Sequence, residues 1–257
     1  MMIIELFSVL FCAPILIYAC YSDIIKRSVT NKLWLFMVAI GFPVALYNFF
    51  SQGTDFLICF TYSVLFTFAL TYLFFRLGLF GGADAKCLIA ISVLIPVQPD
   101  FAFVYHQYAA NSSLLLFPFA ITTLLNGAIF SLCVPIGLFV YNVLSLSRGE
   151  LKANLRYAFI GYEKSLEAVS GMKHTRLVHL YDDDEEGGDI KRSFIFGGIE
   201  IDAEVVEALK KYHAQGKIGD KVWVTPELPF ILFITAGFLS ALLFGNLVFC
   251  ILLSLLV

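Results

Sequence analysis

Long apolar runs separated by short polar segments dominate the chain. Five of these runs are long enough, or nearly so, for a helix to cross ~30 Å of hydrocarbon. A sixth run, residues 87–97, is apolar but short. The pattern predicts an all-α polytopic membrane protein with six transmembrane helices. The five longer runs are residues 2–20, 33–50, 56–75, 114–144 and 228–257.

The composition agrees with this pattern. Of the 257 residues, 60% are hydrophobic and 14% are charged, whereas a soluble domain is about half apolar and about a quarter charged. The first run opens MMIIEL, with a glutamate where a cleavable signal peptide carries basic residues. We therefore expect the first run to be a membrane helix and not a removable signal.

The 17 Lys and Arg residues lie in only three segments of the chain. Three precede the second run, two flank the start of the fourth, and twelve lie from Arg148 to Lys221. Because basic loops stay on the cytoplasmic side of a membrane, we expect these three segments to be cytoplasmic and both termini to lie outside. The protein is then expected in the cell membrane as a multi-pass protein.

The fourth helix raises a question of length. Residues 84–97 would make a helix about 21 Å long, which is short for a crossing. If it were re-entrant, the fifth helix would run the other way and place the twelve basic residues outside. The charge pattern therefore favours a real crossing, with local thinning of the bilayer or a water-filled notch at one end.

A polar segment interrupts the membrane pattern between helices five and six. Residues 203–216 have the pattern of a helix ending near Gly216, and residues 193–196 and 221–225 have the pattern of strands. We predict a small α/β cytoplasmic insert here.

The chain is then expected to have three parts. Residues 1–145 carry helices one to five, residues 146–225 form the insert, and residues 226–257 form helix six and a C-terminal tail. Gly245 and Asn246 interrupt the last apolar run. One long helix, or a crossing helix followed by a short tail, are both compatible with this sequence.

Six cysteines lie within or at the edge of the apolar runs, and none forms a CxxC pair. This spacing suggests neither a zinc site nor a disulfide framework. We expect no metal and no cofactor.

Two acidic residues lie at the predicted cytoplasmic ends of helices. Asp23 ends the first helix in YSDIIKRS, and Asp84 opens the fourth in FGGADAKCL. Carboxylates at membrane depth are costly and usually face a functional interior. The glycines Gly81 and Gly82 before Asp84 allow a positive φ and a close backbone approach.

Structural explanations for the two acids compete with a functional one. Asp84 could be a first-turn acid that stabilises its helix against the helix dipole. Asp23 could be an interfacial residue that balances Lys26 and Arg27. Their occurrence on one face of the membrane favours a joint role over these separate explanations.

Two neighbouring carboxyl groups can share a proton, so that one acts as a base on water and the other as an acid on a carbonyl oxygen. This is the chemistry of aspartic proteases. Asp84 at a helix N-terminus is expected to be the ionised partner, and Asp23 at a helix C-terminus the protonated one. A proton-coupled transporter could use the same two aspartates as proton carriers, and a non-enzymatic membrane scaffold would need neither.

The stretch GGADAKCL resembles the GxGD motif of membrane-embedded aspartic proteases, and in particular of archaeal preflagellin and prepilin-like peptidases. The segments SDIIKR, FPF…NGAIF and WVTPELPF resemble the same family in the same order. The resemblance implies that Asp23 and Asp84 are catalytic. The chain departs from the motif at Ala83, where the family has glycine, and Gly81 and Gly82 are expected to supply the unusual torsion.

The resemblance extends to residues around the two aspartates. Lys86 follows the motif and is expected to support the site, and Pro226 and Pro229 in WVTPELPF are candidates for substrate docking. The most direct explanation of the two prolines is that they break the chain before helix six.

By the same resemblance, the substrates would be precursors with a short basic leader and a hydrophobic helix, cleaved at the cytoplasmic face of the membrane. Membrane lipid is the other expected partner, and no nucleic acid is expected. The acidic run at residues 182–186 could attract a basic leader, although a solvated loop is the more common explanation of such a run.

Overall fold

The computed structural model describes residues 2–99, 117–183 and 190–256. It is mostly helical and contains one small antiparallel sheet. The chain forms two compact units, one made of Met1–Ser131 and Pro229–Val257 and the other of Leu132–Leu228. Two predicted segments lie partly outside the described residues. These are residues 184–186 of the acidic run and residues 114–116 of the fifth predicted run.

The described elements follow the predicted order, with ends that differ by a few residues. The helices are α1 Met2–Lys26, α2 Asn31–Gln52, α3 Thr54–Arg76, α4 Gly82–Leu94, α5 Phe119–Ser131, α6 Cys133–Ser145, α7 Arg148–Ala153, α8 Leu166–Val169, α9 Ala203–Ala214, α10 Phe230–Phe244 and α11 Leu247–Leu256. The strands are β1 Tyr162–Ser165, β2 Thr175–Asp183, β3 Ile190–Glu200 and β4 Lys221–Pro226.

Four helical stretches within the described residues are long and apolar enough to cross a membrane. The prediction of a membrane protein is therefore confirmed, whereas the six crossings stay a prediction. Helix α4 has 13 residues and α10 has 15, so both are shorter than the usual span. The four stretches are Ile3–Lys26, Asn31–Gln52, Thr54–Arg76 and Phe119–Ser145.

Helix α4 lies in the middle of the helical unit. Eight of its 13 residues are buried, and it packs against α1, α2, α3, α5 and α10. At Gly41 of α2 a Cβ atom would lie 3.2 Å from the Cα atom of Leu94, so the glycine permits the close approach of α2 to the end of α4. The short central helix is thus enclosed by five other helices, four of which are longer.

A second close contact joins α5 to α10. Gly237 of α10 lies against Gly127 of α5, and a Cβ atom at Gly237 would be 2.6 Å from the backbone nitrogen of Gly127 and would overlap the carbonyl oxygen of Thr123. Small residues at helix crossings in membranes allow such backbone contact. The contact fixes the position of α10 along α5.

The last apolar run is broken between α10 and α11. Gly245 adopts a left-handed conformation, with φ of 71°. The side chain of Asn126 donates to the carbonyl oxygen of Gly245 at 2.8 Å and accepts from the backbone nitrogen of Leu247 at 2.9 Å. Of the two alternatives for this run, the structure contains the helix followed by a shorter segment, and Asn126 satisfies the backbone groups that the break exposes.

Replacement of Gly237 by alanine tests the contact between α5 and α10. We expect the added methyl group to destabilise the helical unit by about 3 kcal/mol, because the overlapping atoms belong to backbone and cannot turn away. Gly137→Ala in α6 is the matched control, since a Cβ atom there meets nothing within 4 Å. Thermal unfolding of the two variants in detergent, followed by size-exclusion chromatography, measures the difference. Equal midpoints would contradict the described contact.

The second unit contains the four-stranded antiparallel sheet, in the order β1-β4-β2-β3. The predicted helix and both predicted strands of the insert are present as α9, β3 and β4. Helices α8 and α9 pack on one face of the sheet. The core of this face consists of Leu166, Val169, Leu177, Leu209, Val222 and Val224.

The other face of the sheet carries an aromatic cluster. Trp223 lies between Val222 and Val224 in β4 and therefore points to the opposite face. Its ring lies 5.8 Å from that of Tyr157, which in turn makes an edge-on contact with the buried His179 at 4.6 Å. Burial lowers the pKa of His179 to about 4, and the positive charges of Arg192 and Arg156 act in the same direction.

The low pKa of His179 predicts a pH dependence of the stability of the second unit. Between pH 6.5 and about pH 4 the unfolded chain binds a proton at His179 that the folded chain does not, so the free energy of unfolding should fall as the pH falls through this window. Urea unfolding followed by Trp223 fluorescence, in a Trp34→Phe background, measures it. His179→Gln should flatten the dependence. The exposed His213 provides the control, and an equal flattening in His213→Gln would contradict the assignment.

Candidate active site

Asp84 lies in the first turn of α4, where its side chain is 8% exposed. The backbone nitrogen of Gly81 donates to Oδ2 of Asp84 at 2.9 Å. A carboxylate at the third position of a helix often makes this contact with the residue before the helix. The bond fits the structural explanation of Asp84, and it also fixes the orientation of the carboxyl group.

Asp23 lies in the last turn of α1 and is half-buried. The backbone N–H of Ile231, in the first turn of α10, interacts with its carboxyl group, and the positive charge of Arg27 acts on it as well. The expectation that Asp23 is protonated rests on the C-terminus of α1 alone. The N-terminus of α10 adds a field of opposite sign that favours the ionised form, so the expected division of protonation between the two aspartates loses its basis.

The structure brings the two aspartates together. Asp23 and Asp84 lie close enough for their carboxyl groups to interact electrostatically. Phe80, just before α4, stacks on Phe230 at the start of α10 with the ring centroids 5.8 Å apart. This stacking holds the two helix N-termini side by side, so each carboxyl group has a backbone N–H from a helix start beside it.

The expectation that Gly81 and Gly82 supply an unusual torsion is wrong. Gly81 has an extended conformation, with φ of −78°, and Gly82 is the first residue of α4. The left-handed glycine is Gly78, with φ of 68°, which ends α3. The role of Gly81 is spatial, because a Cβ atom there would lie 3.3 Å from Oδ2 of Asp84. Ala83 is helical, so alanine in place of the family's glycine carries no backbone strain.

The remaining candidates have structural contacts. Lys86 is exposed and its Nζ donates to Oδ1 of Asn31 at 2.9 Å, which joins α4 to the start of α2. Pro226 is the last residue of β4, and Pro229 immediately precedes α10. Both prolines therefore terminate or begin elements, as the chain-breaking explanation predicts.

The sequence indicates the charge of Arg27 beside Asp23 but not the contribution of Ile231. Arg27 adopts a left-handed conformation, with φ of 51°, and its Nε and Nη1 atoms are buried without a hydrogen-bond partner among the described residues. No sequence signal could identify Ile231, because every residue except proline carries a backbone N–H. The position of Arg27, four residues after Asp23, is the sequence signal for their electrostatic interaction.

Glu227 has a structural role. Its Oε1 accepts from Nε of Arg176 at 2.8 Å, and its backbone nitrogen donates to the carbonyl oxygen of His174 at 2.8 Å. These contacts tie the end of the WVTPEL segment to β2. Among the described residues, no group of three or more His, Cys, Asp or Glu side chains is arranged to hold a metal ion.

A cavity of about 250 Å³ lies at the opposite end of α4 from the two aspartates. Its lining includes Glu5, Asn48, Asp55 and Gln98 together with Leu94, the last residue of α4. A 13-residue helix leaves space beyond its C-terminus inside a bundle of longer helices. The cavity lies beyond the C-terminal end of α4 and not beside Asp84.

Comparisons with known proteins identify the family. The type IV leader peptidase family matches residues 10–136, and the family described as archaeal peptidase A24 C-terminus type II matches residues 153–247. The chain belongs to the type IV leader peptidase family. This membership makes the chain a peptidase, so the transporter and scaffold alternatives lose their support.

Relatives with assigned names agree with this family. The chain is 29% identical over 243 residues to the preflagellin peptidase of Methanococcus voltae, covering 90% of this chain and 92% of that protein. It is 25% identical over 240 residues to the preflagellin peptidase of Methanocaldococcus jannaschii, covering 93% and 94%. A prepilin peptidase of Methanothermobacter thermautotrophicus is 28% identical over 157 residues, which cover 59% of this chain and 39% of that protein.

The helical conformation of Ala83 leads to a prediction for this leader peptidase. Ala83→Gly restores the family's GxGD motif, yet we expect no gain in the rate of leader cleavage, because the torsion at residue 83 is already an ordinary one. We expect a loss of stability of roughly 0.5–1 kcal/mol from the added backbone freedom. Cleavage rates and thermal midpoints of the two forms measure both effects. A rate several-fold above that of the unaltered protein would contradict the assigned conformation.

Proposed function

We propose that Asp23 and Asp84 form the catalytic dyad of this leader peptidase. The observation that carries the proposal is the electrostatic effect of Asp23 on the carboxyl group of Asp84, exerted between the ends of two different helices. The N–H groups of Ile231 and Gly81 support it, because each one orients one of the two carboxyl groups. Two carboxyl groups that interact in this way disfavour each other's ionised form, and a dyad of this kind can share one proton.

The shared proton supplies both halves of acid–base catalysis. The ionised carboxylate takes a proton from a water molecule, and the oxygen of that water forms a bond to the scissile carbonyl carbon. The protonated carboxyl group gives its proton to the carbonyl oxygen. The bond from this carbon to the peptide nitrogen then breaks. The nitrogen takes up the proton that the first carboxyl group received from the water, which leaves a new carboxyl group and a new amine.

The substrates are precursors of the preflagellin or pilin type, with a basic leader followed by a hydrophobic helix. The names of the relatives support this substrate class. Cleavage between a polar leader and an apolar helix requires an active site at the membrane surface. Asp23 in the last turn of α1 and Asp84 in the first turn of α4 suit this requirement, because both lie at the ends of apolar helices.

The topology that suits this function has six crossings, with the site facing the cytoplasm and both termini outside. The distribution of the 17 basic residues supports it. Helices α4 and α10 would then cross with about 20 Å and about 22 Å of helix, which requires local thinning of the bilayer. Residues 1–145, 146–225 and 226–257 would serve as the membrane part, the cytoplasmic insert, and the last helix with its tail.

The residues around the dyad have supporting roles in this proposal. Gly81 and Gly82 leave room for Asp84 and for the main chain of the substrate, Lys86 holds α4 against α2, and Pro226 and Pro229 offer a rigid edge for docking the substrate. Pro229 supports the last role most directly, because it immediately precedes the helix whose N–H group lies beside Asp23.

Substitution of either aspartate by asparagine tests the dyad. We expect Asp23→Asn and Asp84→Asn each to lower the rate of leader cleavage by roughly 10³-fold or more, because neither proton transfer can then occur. Asparagine keeps an oxygen that can accept from Gly81 or Ile231, so the fold should survive. Asp55→Asn, at the opposite end of the bundle, is the control and should cleave like the unaltered protein.

The assay uses purified protein in detergent and a panel of precursors with basic leaders. Thermal midpoints and elution profiles report on folding. A folded Asp84→Asn variant that still cleaves at a near-normal rate would make Asp84 a helix-stabilising acid only.

A further inference from the structure

Within the second unit, three contacts fix the segment 154–161 to the end of the apolar helix α6. Phe159 stacks on Phe139 of α6, with the rings 4.3 Å apart and almost parallel. Nδ2 of Asn142 donates to the carbonyl oxygens of Ala158 at 2.9 Å and Gly161 at 2.7 Å. The segment 154–161 is therefore held between α6 on one side and the sheet on the other.

These contacts set the depth of the segment relative to the membrane. Helix α6 is the last part of the apolar stretch Phe119–Ser145, which is long enough to cross a bilayer. Phe139 lies six residues before the end of this stretch, or about 9 Å along the helix axis. Phe159, which stacks on it, therefore lies at the level where hydrocarbon meets headgroups.

The sheet presents two different faces. Helix α9 covers one of them, with exposed charged residues such as Glu207 and Lys210 on its outer surface. Tyr157 from the segment 154–161 lies on the other, within 6.1 Å of Phe194 in β3. The segment that carries Tyr157 contacts the end of α6, and Tyr157 lies on the face of the sheet opposite α9.

Two arginines lie on the Tyr157 face. The guanidinium groups of Arg156 and Arg192 lie 5.1 Å and 5.6 Å from the centre of the Tyr157 ring. Within the described residues neither guanidinium forms an ion pair with a carboxylate. Two arginines held over one aromatic ring have donors to spare for an anion such as a phosphate.

Exposed apolar side chains surround these arginines. Leu155 is 51% exposed and Phe196 is 72% exposed, in a strand that also carries Phe194. Aromatic and apolar side chains mixed with arginine are typical of proteins that lie in a membrane interface. We define the interface patch as Leu155, Arg156, Phe159, Arg192, Phe194 and Phe196.

We propose that the interface patch docks on the headgroup layer of the membrane that α6 enters, with Arg156 and Arg192 binding phosphates of anionic phospholipids. Continuity with the apolar helix through Phe139 and Phe159 makes the bilayer surface the occupant of this face. The proposal depends on α6 as a membrane helix and is independent of the roles of Asp23 and Asp84. Docking fixes the orientation of the sheet relative to the bilayer.

Depth-dependent fluorescence tests the docking. The full chain is reconstituted into nanodiscs of phosphatidylcholine containing phosphatidylglycerol, with an environment-sensitive fluorescent amino acid in place of Phe196. The control places the same amino acid at Lys210 on the α9 face. We expect lipids spin-labelled near the headgroup to quench the probe at residue 196 and to leave the probe at residue 210 unquenched. Equal absence of quenching at both positions would overturn the proposal, and would leave another segment of the chain or a second copy as the occupant.

The contribution of charge is tested with lipid selectivity. Quenching at residue 196 by spin-labelled phosphatidylglycerol is compared with that by spin-labelled phosphatidylcholine. We expect an anionic preference that falls on the order of tenfold in the double variant Arg156→Gln/Arg192→Gln. The pair Lys210→Gln/Lys211→Gln removes the same charge from the α9 face and should keep the preference.

A third variant separates charge from misfolding. Arg156→Lys/Arg192→Lys keeps both charges and should keep most of the preference, while Trp223 fluorescence reports that the sheet is intact. The same preference in the glutamine and the unaltered proteins would overturn the assignment of phosphate binding to these arginines.

Discussion

The enclosure of the short helix α4 is the constraint on which the rest of the helical unit depends. With 13 residues it is shorter than α1, α2, α3 and α10 and as long as α5, and these five helices pack around it and bury most of its side chains. Its N-terminus carries Asp84, and its C-terminus leaves a polar cavity beyond Leu94. The carboxyl group of Asp84 is therefore held in a protein environment with one backbone N–H bound to it.

The contact between α5 and α10 completes the site from the other side. Gly127 and Gly237 allow the two backbones to touch, and Asn126 satisfies the broken end of α10. With its C-terminal half fixed in this way, α10 begins at a defined place beside Asp23. Residues far from the aspartates thus determine which backbone N–H group faces them. The NG pair in the fifth helix has a structural explanation in this arrangement.

Much of this architecture could be predicted from the sequence, because membrane helices and a polar insert differ so strongly in composition. The spans, the insert with its helix and strands, and the candidate aspartates all follow from apolar runs, turn residues and charge. The torsions of Gly81 and Gly82 could not be predicted. A glycine before a helix either permits a positive φ or leaves room where a side chain would not fit, and only the structure distinguishes the two. The break within residues 114–144 at Leu132 had a usable signal in Pro135, because a proline cannot donate the helical hydrogen bond to the carbonyl group of Ser131. The role of the N–H group of Ile231 could not be predicted either, because this group belongs to the backbone and does not depend on the type of residue.

The central claim is that Asp23 and Asp84 act as one unit on a water molecule and a scissile peptide bond. Its most direct test is the equilibrium affinity for a leader peptide whose scissile amide is replaced by a hydroxyl-bearing isostere, which mimics the tetrahedral intermediate. The account predicts that the unaltered protein binds this peptide at least about a hundredfold more tightly than a matched peptide without the hydroxyl. It also predicts that Asp23→Asn and Asp84→Asn each abolish this preference. An equal preference in the unaltered protein and in either variant would contradict the account.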